Sequence, residues 1–132
     1  MKLIDKLAWI EIKDKTILST KSYGKDKYYL PGGKREPGET DEQALCREIK
    51  EELCIDLNKD TLKFVGEFQS NAHGHSVDTF VKMTCYMADY TGTLKADFEI
   101  EEIRWLKYAD KDITSEVDHL IFDFLKEKGL LE

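Results

Sequence analysis

Three glutamates in one short segment have the spacing of a cation-binding helix face. Glu48, Glu51 and Glu52 follow Arg47, and Glu48 lies three and four positions before the other two. In an α-helix these spacings place the carboxylates on one face, where like charges are destabilising by a few tenths of a kcal/mol per pair. Hard divalent cations such as Mg²⁺ prefer clustered carboxylate oxygens and would turn that repulsion into attraction. A solvated acidic helix face is the alternative interpretation.

The residues before these glutamates have features that a solvated helix face does not need. The turn Pro31-Gly32-Gly33 has two glycines, which can expose a backbone carbonyl and let another group approach closely. Glu39 follows a second turn, Pro37-Gly38, and can reach the cluster from the loop. Arg47, four positions before Glu51, can orient a carboxylate through its guanidinium fork. An ordinary surface ion pair, which contributes little, would have the same spacing.

The segment resembles the Nudix box. That pattern is a glycine, five residues, a glutamate, seven residues, Arg-Glu, an aliphatic residue, any residue, Glu-Glu, any residue, a glycine and an aliphatic residue. Here Gly33 is followed after five residues by Glu39, and Arg47 comes after seven more. The remainder reads Arg47-Glu48-Ile49-Lys50-Glu51-Glu52-Leu53-Cys54-Ile55. Every position agrees except the last glycine, which is Cys54.

The resemblance implies an α/β fold: an α/β/α sandwich with a mixed β-sheet, in which the box forms a catalytic loop-helix-loop. Glu51 and Glu52 would be the main metal ligands, and Glu48 a ligand or the general base. The Gly32 carbonyl would also coordinate. The cofactor would be Mg²⁺, with Mn²⁺ as a substitute. The catalytic set implied by the box consists of Glu39, Arg47, Glu48, Glu51 and Glu52, the first two supporting the cluster.

Cys54 ends the predicted helix, where a glycine would supply a left-handed backbone conformation. If the same conformation is kept, a cysteine costs on the order of 1 kcal/mol. The departure therefore concerns helix termination rather than metal binding.

A second acidic candidate lies in residues 97–105. MutT-type members of the family have a metal-binding or basic glutamate on a loop shortly before a strand that contains tryptophan. Glu99 best matches that place before Trp105, with Glu102 as the next choice, and we assign Glu99 to metal or substrate binding. Glu101 is interpreted as a solvated strand residue.

The segment His73-Gly74-His75 resembles a pair of metal-binding histidines. Its loop context instead favours histidines on the surface or in a substrate-binding loop. We therefore predict that Asn71 or His73 contacts the substrate from a loop beside the metal. Aromatic strand residues such as Tyr28, Tyr29 and Trp105 could stack on a base, although aromatic side chains in strands usually belong to the core.

Composition restricts the class of protein. The chain has 132 residues and a net charge of −7, which fits a single domain over residues 1–132 and gives no general attraction to a nucleic-acid polymer. No apolar stretch has the length of a membrane span, and no secretory segment is evident. The three cysteines suggest no disulfide framework. The expected location is the cytoplasm, as a monomer or homodimer.

Hydrophobic patterning predicts the elements that must position these residues. Strands are expected at residues 3–12, 16–20, 28–30, 61–70, 77–90 and 101–107, with a turn at 90–93. A helix is expected over residues 40–53, with Thr40 and Gln43 as a capping box. A second helix is expected over residues 115–128, capped by Ser115 and Asp118. Its core-facing stripe is predicted to be Val117, Leu120, Ile121, Phe124 and Leu125.

The preferred functional interpretation is a MutT-like nucleoside triphosphate pyrophosphohydrolase that releases a nucleoside monophosphate and pyrophosphate. An ADP-ribose, nucleotide-sugar or dinucleoside polyphosphate hydrolase is the alternative within the enzyme class. A ligand-binding module that lost catalysis is the alternative outside it, although all four box carboxylates are present.

Overall fold

The computed structural model describes residues 2–71 and 78–132. Within them lie two short 3₁₀ helices, Lys59–Thr61 and Tyr108–Ile113, and the following strands and α-helices. In chain order these are β1 (Lys2–Trp9), β2 (Ile12–Lys13), β3 (Thr16–Ser22), β4 (Gly32–Gly33), α1 (Asp41–Leu53), β5 (Asp56–Leu57), β6 (Lys63–Asn71), β7 (Thr79–Met87), β8 (Tyr90–Thr91), β9 (Ile100–Leu106) and α2 (Glu116–Glu127).

The largest sheet is mixed and has the order β4-β1-β7-β6. Strand β1 runs parallel to β7 and antiparallel to β4, and β6 runs antiparallel to β7. A second, antiparallel sheet has the order β2-β3-β9, and β5 pairs with β8. The mixed sheet predicted from the resemblance is therefore confirmed.

The two helices lie on opposite faces of the large sheet, because side chains along β1 alternate between two buried clusters. Leu7 and Trp9 belong to the cluster under α1, whereas Ala8 and, just beyond the strand, Ile10 belong to the cluster under α2. Helix α1 contributes Ala44, Leu45, Ile49 and Leu53. Helix α2 contributes Val117, Ile121, Phe122 and Leu125. This layering is the predicted α/β/α sandwich.

The predicted strand over residues 3–12 is divided in the structure. Strand β1 ends at Trp9, and the Ile10 amide donates to the Tyr86 carbonyl of β7. The chain then crosses to the second sheet, where β2 forms a hairpin with β3 around Asp14 and Lys15, both with positive φ. The hairpin partner of β3 is thus β2 and not β1, because β1 is paired with β7 on one edge and with β4 on the other.

Two turn assignments were wrong. Gly32–Gly33 does not end a strand at residues 28–30 but is itself the edge strand β4. Tyr28 and Tyr29 form only isolated bridges, to Thr114 and Thr20 respectively. Tyr90–Thr91, predicted as a turn, pairs with Asp56–Leu57. In each case a distant partner strand, invisible to local turn chemistry, decides the conformation.

Helix α1 begins as predicted, with the reciprocal Thr40–Gln43 capping box. Helix α2 departs from its prediction in two ways. The Ser115 side chain makes no capping hydrogen bond, and Asp118 accepts instead from the Leu30 amide at 3.0 Å. Leu120 is 41% exposed, and the fully buried Phe122 takes a place in the core-facing stripe. Neither helix in the described residues is long and apolar enough to cross a bilayer.

Asp118 is a fully buried carboxyl that links α2 to the segment preceding β4. Burial raises the pKa of Asp118 to about 7, whereas the Leu30 amide, the Ser115 hydroxyl and the Lys6 ammonium oppose that rise. The Ser115 hydroxyl lies near enough to act on this charge, yet neither Ser115 Oγ nor Asp118 Oδ1 has a hydrogen-bond partner in the structure. The folded protein therefore holds the Asp118 proton more tightly than an unfolded chain does.

A raised pKa predicts the sign of a pH effect. The stability contributed by protonated Asp118 is fully present below its ordinary pKa of 3.8 and is lost as the pH rises through about 7. We expect the free energy of unfolding of the wild type, relative to Asp118→Asn, to fall across that window by on the order of 1 kcal/mol per pH unit. Urea denaturation at pH 4 to 8 measures this difference.

Asp123→Asn is the matched control on the same helix. Hydrogen bonds from Lys111 and Tyr108 lower the pKa of Asp123, so its stabilising contribution is lost as the pH falls. The free energy of unfolding of the wild type, relative to Asp123→Asn, should therefore fall as the pH falls. This trend is opposite to the one expected for Asp118. A wild-type and Asp118→Asn difference that is constant with pH would contradict the assignment.

Candidate active site

Glu52 is the most buried carboxylate of the box. It lies in the last turn of α1, is 4% exposed, and accepts a hydrogen bond from the Gly32 amide at 3.2 Å. Burial raises the pKa of Glu52 to about 8, and Glu48 and Glu99 act in the same direction, against the Gly32 N–H. A carboxylate so placed lacks the compensating charge that a bound cation would supply.

Gly32 and Gly33 allow the edge strand to approach α1 and β1 closely. A Cβ on Gly33 would overlap the Glu48 carboxylate, and a Cβ on Gly32 would overlap the Leu7 carbonyl. Gly32 also has a φ of 148°, which side-chain-bearing residues rarely adopt. Backbone packing therefore requires a glycine at position 32, whereas a side chain at position 33 would displace the Glu48 carboxylate.

Arg47 holds the acidic residues of the loop and helix together. Its Nε and Nη2 atoms donate to the two oxygens of Glu39, each at 2.8 Å, and Nη1 donates to Glu48 Oε1 at 2.8 Å. The Glu51 carboxylate is farther away, at 3.4 Å. The bidentate partner of Arg47 is thus Glu39 and not Glu51, the partner suggested by helical spacing. Hydrogen bonds from Arg47 lower the pKa of Glu39 to about 2.

A second arginine, Arg35, fastens the same loop to the sheet. Its guanidinium forms ion pairs with Asp5 of β1 at 2.6 Å and with Asp41 at 2.7 Å. Asp41 also accepts a hydrogen bond from the Tyr86 hydroxyl at 2.6 Å. The loop between β4 and α1 is therefore held at both ends, by Arg35 on the sheet side and by Arg47 on the helix side.

The loop that carries Glu99 is docked against the end of α1. The Asp97 amide donates to the Glu52 carbonyl at 3.0 Å, and Cys54 Sγ contacts Asp97 Oδ2 at 3.3 Å. The Tyr23 amide donates to the Glu99 carbonyl at 3.0 Å. Glu102 accepts instead from the Tyr28 hydroxyl, 2.7 Å away. Glu99, rather than Glu102, thus faces the box carboxylates.

Two adjoining cavities show which predicted residues come together. The smaller, about 280 Å³, is lined by Lys6, Gly32, Gly33, Lys34, Glu48 and Glu99. The larger, about 340 Å³, includes Glu52, Glu99 and Asn71 in its walls. Glu51 is exposed and lines neither cavity, and its carboxylate lies 3.4 Å from the Arg47 guanidinium. His73 and His75 lie outside the described residues.

The donors around the smaller cavity are of the kind that hard divalent cations prefer. Glu48, Glu99 and Gly32 line it, Glu52 lines the larger cavity beside it, and no cysteine or histidine of residues 2–71 and 78–132 lines either cavity. Across residues 2–71 and 78–132, no three His, Cys, Asp or Glu side chains are already arranged to hold a metal ion. Glu48 and Glu52 are instead engaged by Arg47 and the Gly32 amide, so small side-chain rotations would be needed for binding.

Residues 7–123 match the family model of the NUDIX domain. This chain belongs to the Nudix family. Solved structures of Nudix proteins agree with that assignment, and the chain is a Nudix hydrolase. No curated protein matches the sequence.

Three solved structures illustrate the similarity. The solution structure of the E. coli ORF135 protein is 26% identical, with a TM-score of 0.72, over 93% of this chain and 88% of that one. A MutT NUDIX hydrolase from Burkholderia pseudomallei is 21% identical, with a TM-score of 0.73, over 93% and 98%, and shares the fold. A bifunctional NMN adenylyltransferase/ADP ribose pyrophosphatase from Francisella tularensis, complexed with AMP and Mn ion, is 26% identical, with a TM-score of 0.66, over 95% and 41%.

Sequence reasoning missed Lys6 and Arg35. Lys6 lies between Ile4 and Ala8 on one face of β1, and a charged residue at that place in the alternation was an available signal. Arg35 had no such signal, because its partners Asp5 and Asp41 meet only in the folded chain.

The backbone at Cys54 generates a stability prediction. Cys54 has φ 60° and ψ 29°, the left-handed conformation for which the box normally has glycine. We expect Cys54→Gly to leave the free energy of unfolding unchanged or to raise it by up to about 1 kcal/mol, since relief of strain outweighs the weak contact to Asp97. Cys54→Ala retains the strained Cβ and should be the less stable of the two variants. A clear fall in melting temperature for Cys54→Gly would refute this account.

The Arg47 fork generates a second prediction. Without it, Glu39 and Glu48 lose the donors that orient them, so Arg47→Ala should raise the Mg²⁺ concentration for half-maximal activity by about 10-fold or more. Arg47→Lys keeps the charge but not the forked guanidinium, so its half-maximal Mg²⁺ concentration should lie between those of the wild type and Arg47→Ala. Activity titrations with Mg²⁺, beside melting curves, separate metal response from folding. An unchanged Mg²⁺ dependence in Arg47→Ala would count against the role.

Proposed function

We propose that this Nudix hydrolase cleaves the phosphoanhydride bond of a nucleoside diphosphate linked to another moiety, and that its substrate is a nucleoside triphosphate converted to a monophosphate and pyrophosphate. The observation that carries the proposal is the meeting of Glu48, Glu52 and Glu99 beside the glycine strand, next to a larger cavity.

Glu48, Glu52 and the Gly32 carbonyl would hold Mg²⁺, or Mn²⁺ as a substitute, with Glu99 facing them and the exposed Glu51 outside both cavities. The bound ion would supply Lewis-acid polarisation of phosphate oxygens and a lower pKa for water. The family's divalent-metal chemistry and the Mn ion in the Francisella tularensis relative support this assignment.

Glu48 is our choice of general base. It is largely buried, and burial raises the pKa of Glu48 against the opposing effect of Arg47. A carboxylate with a raised pKa is the better proton acceptor near neutral pH. Arg47 would hold Glu48 Oε1 and leave Oε2, on the side of Gly33, to accept the proton of the attacking water. Glu99, across the cavity, is the alternative base.

The larger cavity supports a substrate with one nucleoside-sized moiety. Its volume of about 340 Å³ lies near the lower end for small-molecule sites. Its walls combine the Tyr23 and Tyr29 rings with polar groups of Thr20, Asn71 and Ser115, which suit a base and a sugar. The net charge of −7 argues for a small substrate carried with a metal ion rather than a nucleic-acid polymer.

ADP-ribose or a nucleotide sugar is the second candidate substrate. The relative from Francisella tularensis that supports it carries ADP ribose pyrophosphatase in its name. Such substrates would use the same carboxylates and differ only in the group that leaves. A catalytically inactive ligand-binding module is less well supported, because the complete set of box carboxylates is retained.

The decisive experiment is a hydrolysis screen with Mg²⁺. Its substrates are normal and oxidised nucleoside triphosphates, ADP-ribose, nucleotide sugars and diadenosine polyphosphates, with phosphate and pyrophosphate measured separately. We expect a triphosphate to be cleaved with release of pyrophosphate. Glu52→Gln should lower turnover more than about 100-fold, since even residues that only support metal ligands contribute about 10- to 100-fold. Glu51→Gln should also lose activity, but less, because Glu51 is exposed, lines neither cavity and lies beside Arg47.

Glu42→Gln is the matched control, because Glu42 lies on the same helix and is exposed away from both cavities. Its turnover should stay within a factor of about two, as is usual for surface substitutions. Near-wild-type turnover in both Glu51→Gln and Glu52→Gln would reject the site assignment. Turnover of ADP-ribose alone would reject the triphosphate proposal but keep the mechanism.

A further inference from the structure

Lys6 stands at the boundary between the two cavities. It belongs to β1, on the sheet face that Ala8 continues under α2, and it pairs in register with Met83 of β7. Only four residues of the described chain line both cavities: Lys6, Gly32, Gly33 and Glu99. Of these, Lys6 alone has a positively charged side chain.

The Lys6 ammonium is poorly compensated. None of the ion pairs among residues 2–71 and 78–132 includes it. Its Nζ lies 5.8 Å from the centroid of the Tyr29 ring, near the outer limit of a cation–π contact. A surface lysine usually extends its ammonium into water, whereas the Lys6 side chain is mostly enclosed.

The surroundings of Lys6 favour an anionic ligand. Burial lowers the pKa of Lys6 and the nearby Lys34 lowers it further, while Asp118 and Glu52 oppose the shift from a distance. A desolvated charge without a close partner is unfavourable unless a ligand supplies one. A phosphate oxygen at the boundary would supply that partner, and lysine binds phosphate as a compact point charge.

The geometry points to Lys6 as the residue that binds the phosphate remaining on the organic half of the substrate. This inference rests on the proposed function. If the smaller cavity binds the diphosphate and the larger cavity binds the nucleoside, the phosphate joined to the nucleoside must lie at the boundary, where Lys6 is. Lys34, which lines only the smaller cavity, is placed for the other phosphate.

Binding of products, without turnover, tests Lys6 separately from hydrolysis. The ligands are AMP, GMP, CMP and UMP and the four corresponding nucleosides, measured by titration calorimetry with Mg²⁺ and with chelator. Lys6→Met should weaken monophosphate binding by about 10- to 100-fold, the range for hydrogen bonds to charged groups, and leave nucleoside binding within about twofold. Lys6→Arg should restore most of the loss. In kinetics, Lys6→Met should raise KM more than it lowers kcat.

Lys2→Met is the matched control, since Lys2 shares the strand and the face but is exposed and lines neither cavity. Lys6→Gln, checked by circular dichroism, replaces Lys6→Met if the latter fails to fold. Equal losses for nucleosides and monophosphates would overturn the inference in favour of a packing role. So would unchanged monophosphate binding in Lys6→Met, or a wild type that binds no monophosphate better than its nucleoside.

The outcomes also separate this inference from the proposed function. Selective loss of monophosphate binding with no hydrolysis of any substrate tested would support Lys6 and reject the proposed substrate class. Hydrolysis of a triphosphate, together with wild-type affinity for the monophosphate product in Lys6→Met, would support the proposed function and reject the role of Lys6.

Discussion

The removal of the Glu52 carboxylate from water is the constraint on which the site depends. A buried carboxylate requires hydrogen bonds or a cation, and Glu52 has one backbone donor, the Gly32 amide, with Glu48 and Glu99 nearby. Folding alone leaves this cluster of negative charge undercompensated. The buried group responds by holding its proton, which raises the pKa of Glu52 to about 8, and a divalent cation is the ligand that would stabilise the charged form instead.

That cluster can exist only because three chain segments are held tightly around it. The glycine strand approaches α1 so closely that side chains on either glycine would overlap Glu48 or Leu7. The loop bearing Glu99 is tied by its Asp97 amide to the Glu52 carbonyl. Backbone hydrogen bonds and close packing hold these segments in place. The carboxylates therefore keep their relative positions although they repel one another.

Three cationic side chains near the site, those of Arg47, Arg35 and Lys6, have different roles. Arg47 orients Glu39 and Glu48, and Arg35 anchors the loop through Asp5 and Asp41. Both guanidiniums are already occupied by carboxylates. Lys6 differs because its nearby acidic groups act only at a distance, which leaves its ammonium for a substrate anion.

Local sequence was enough to predict the helix of the box and to indicate the family. The capping box, the apolar stripe and the glutamate spacing are local properties of a periodic helix, so Thr40, Glu48 and Glu52 could be placed without tertiary information. The left-handed Cys54 could be anticipated for the same reason. Tertiary structure alone decided which partners meet across the chain. It paired Arg47 with Glu39 rather than Glu51, made Gly32–Gly33 a strand, set Asp118 against the Leu30 amide, and left Lys6 between two cavities. These depend on contacts between segments far apart in sequence, whose geometry no local spacing encodes.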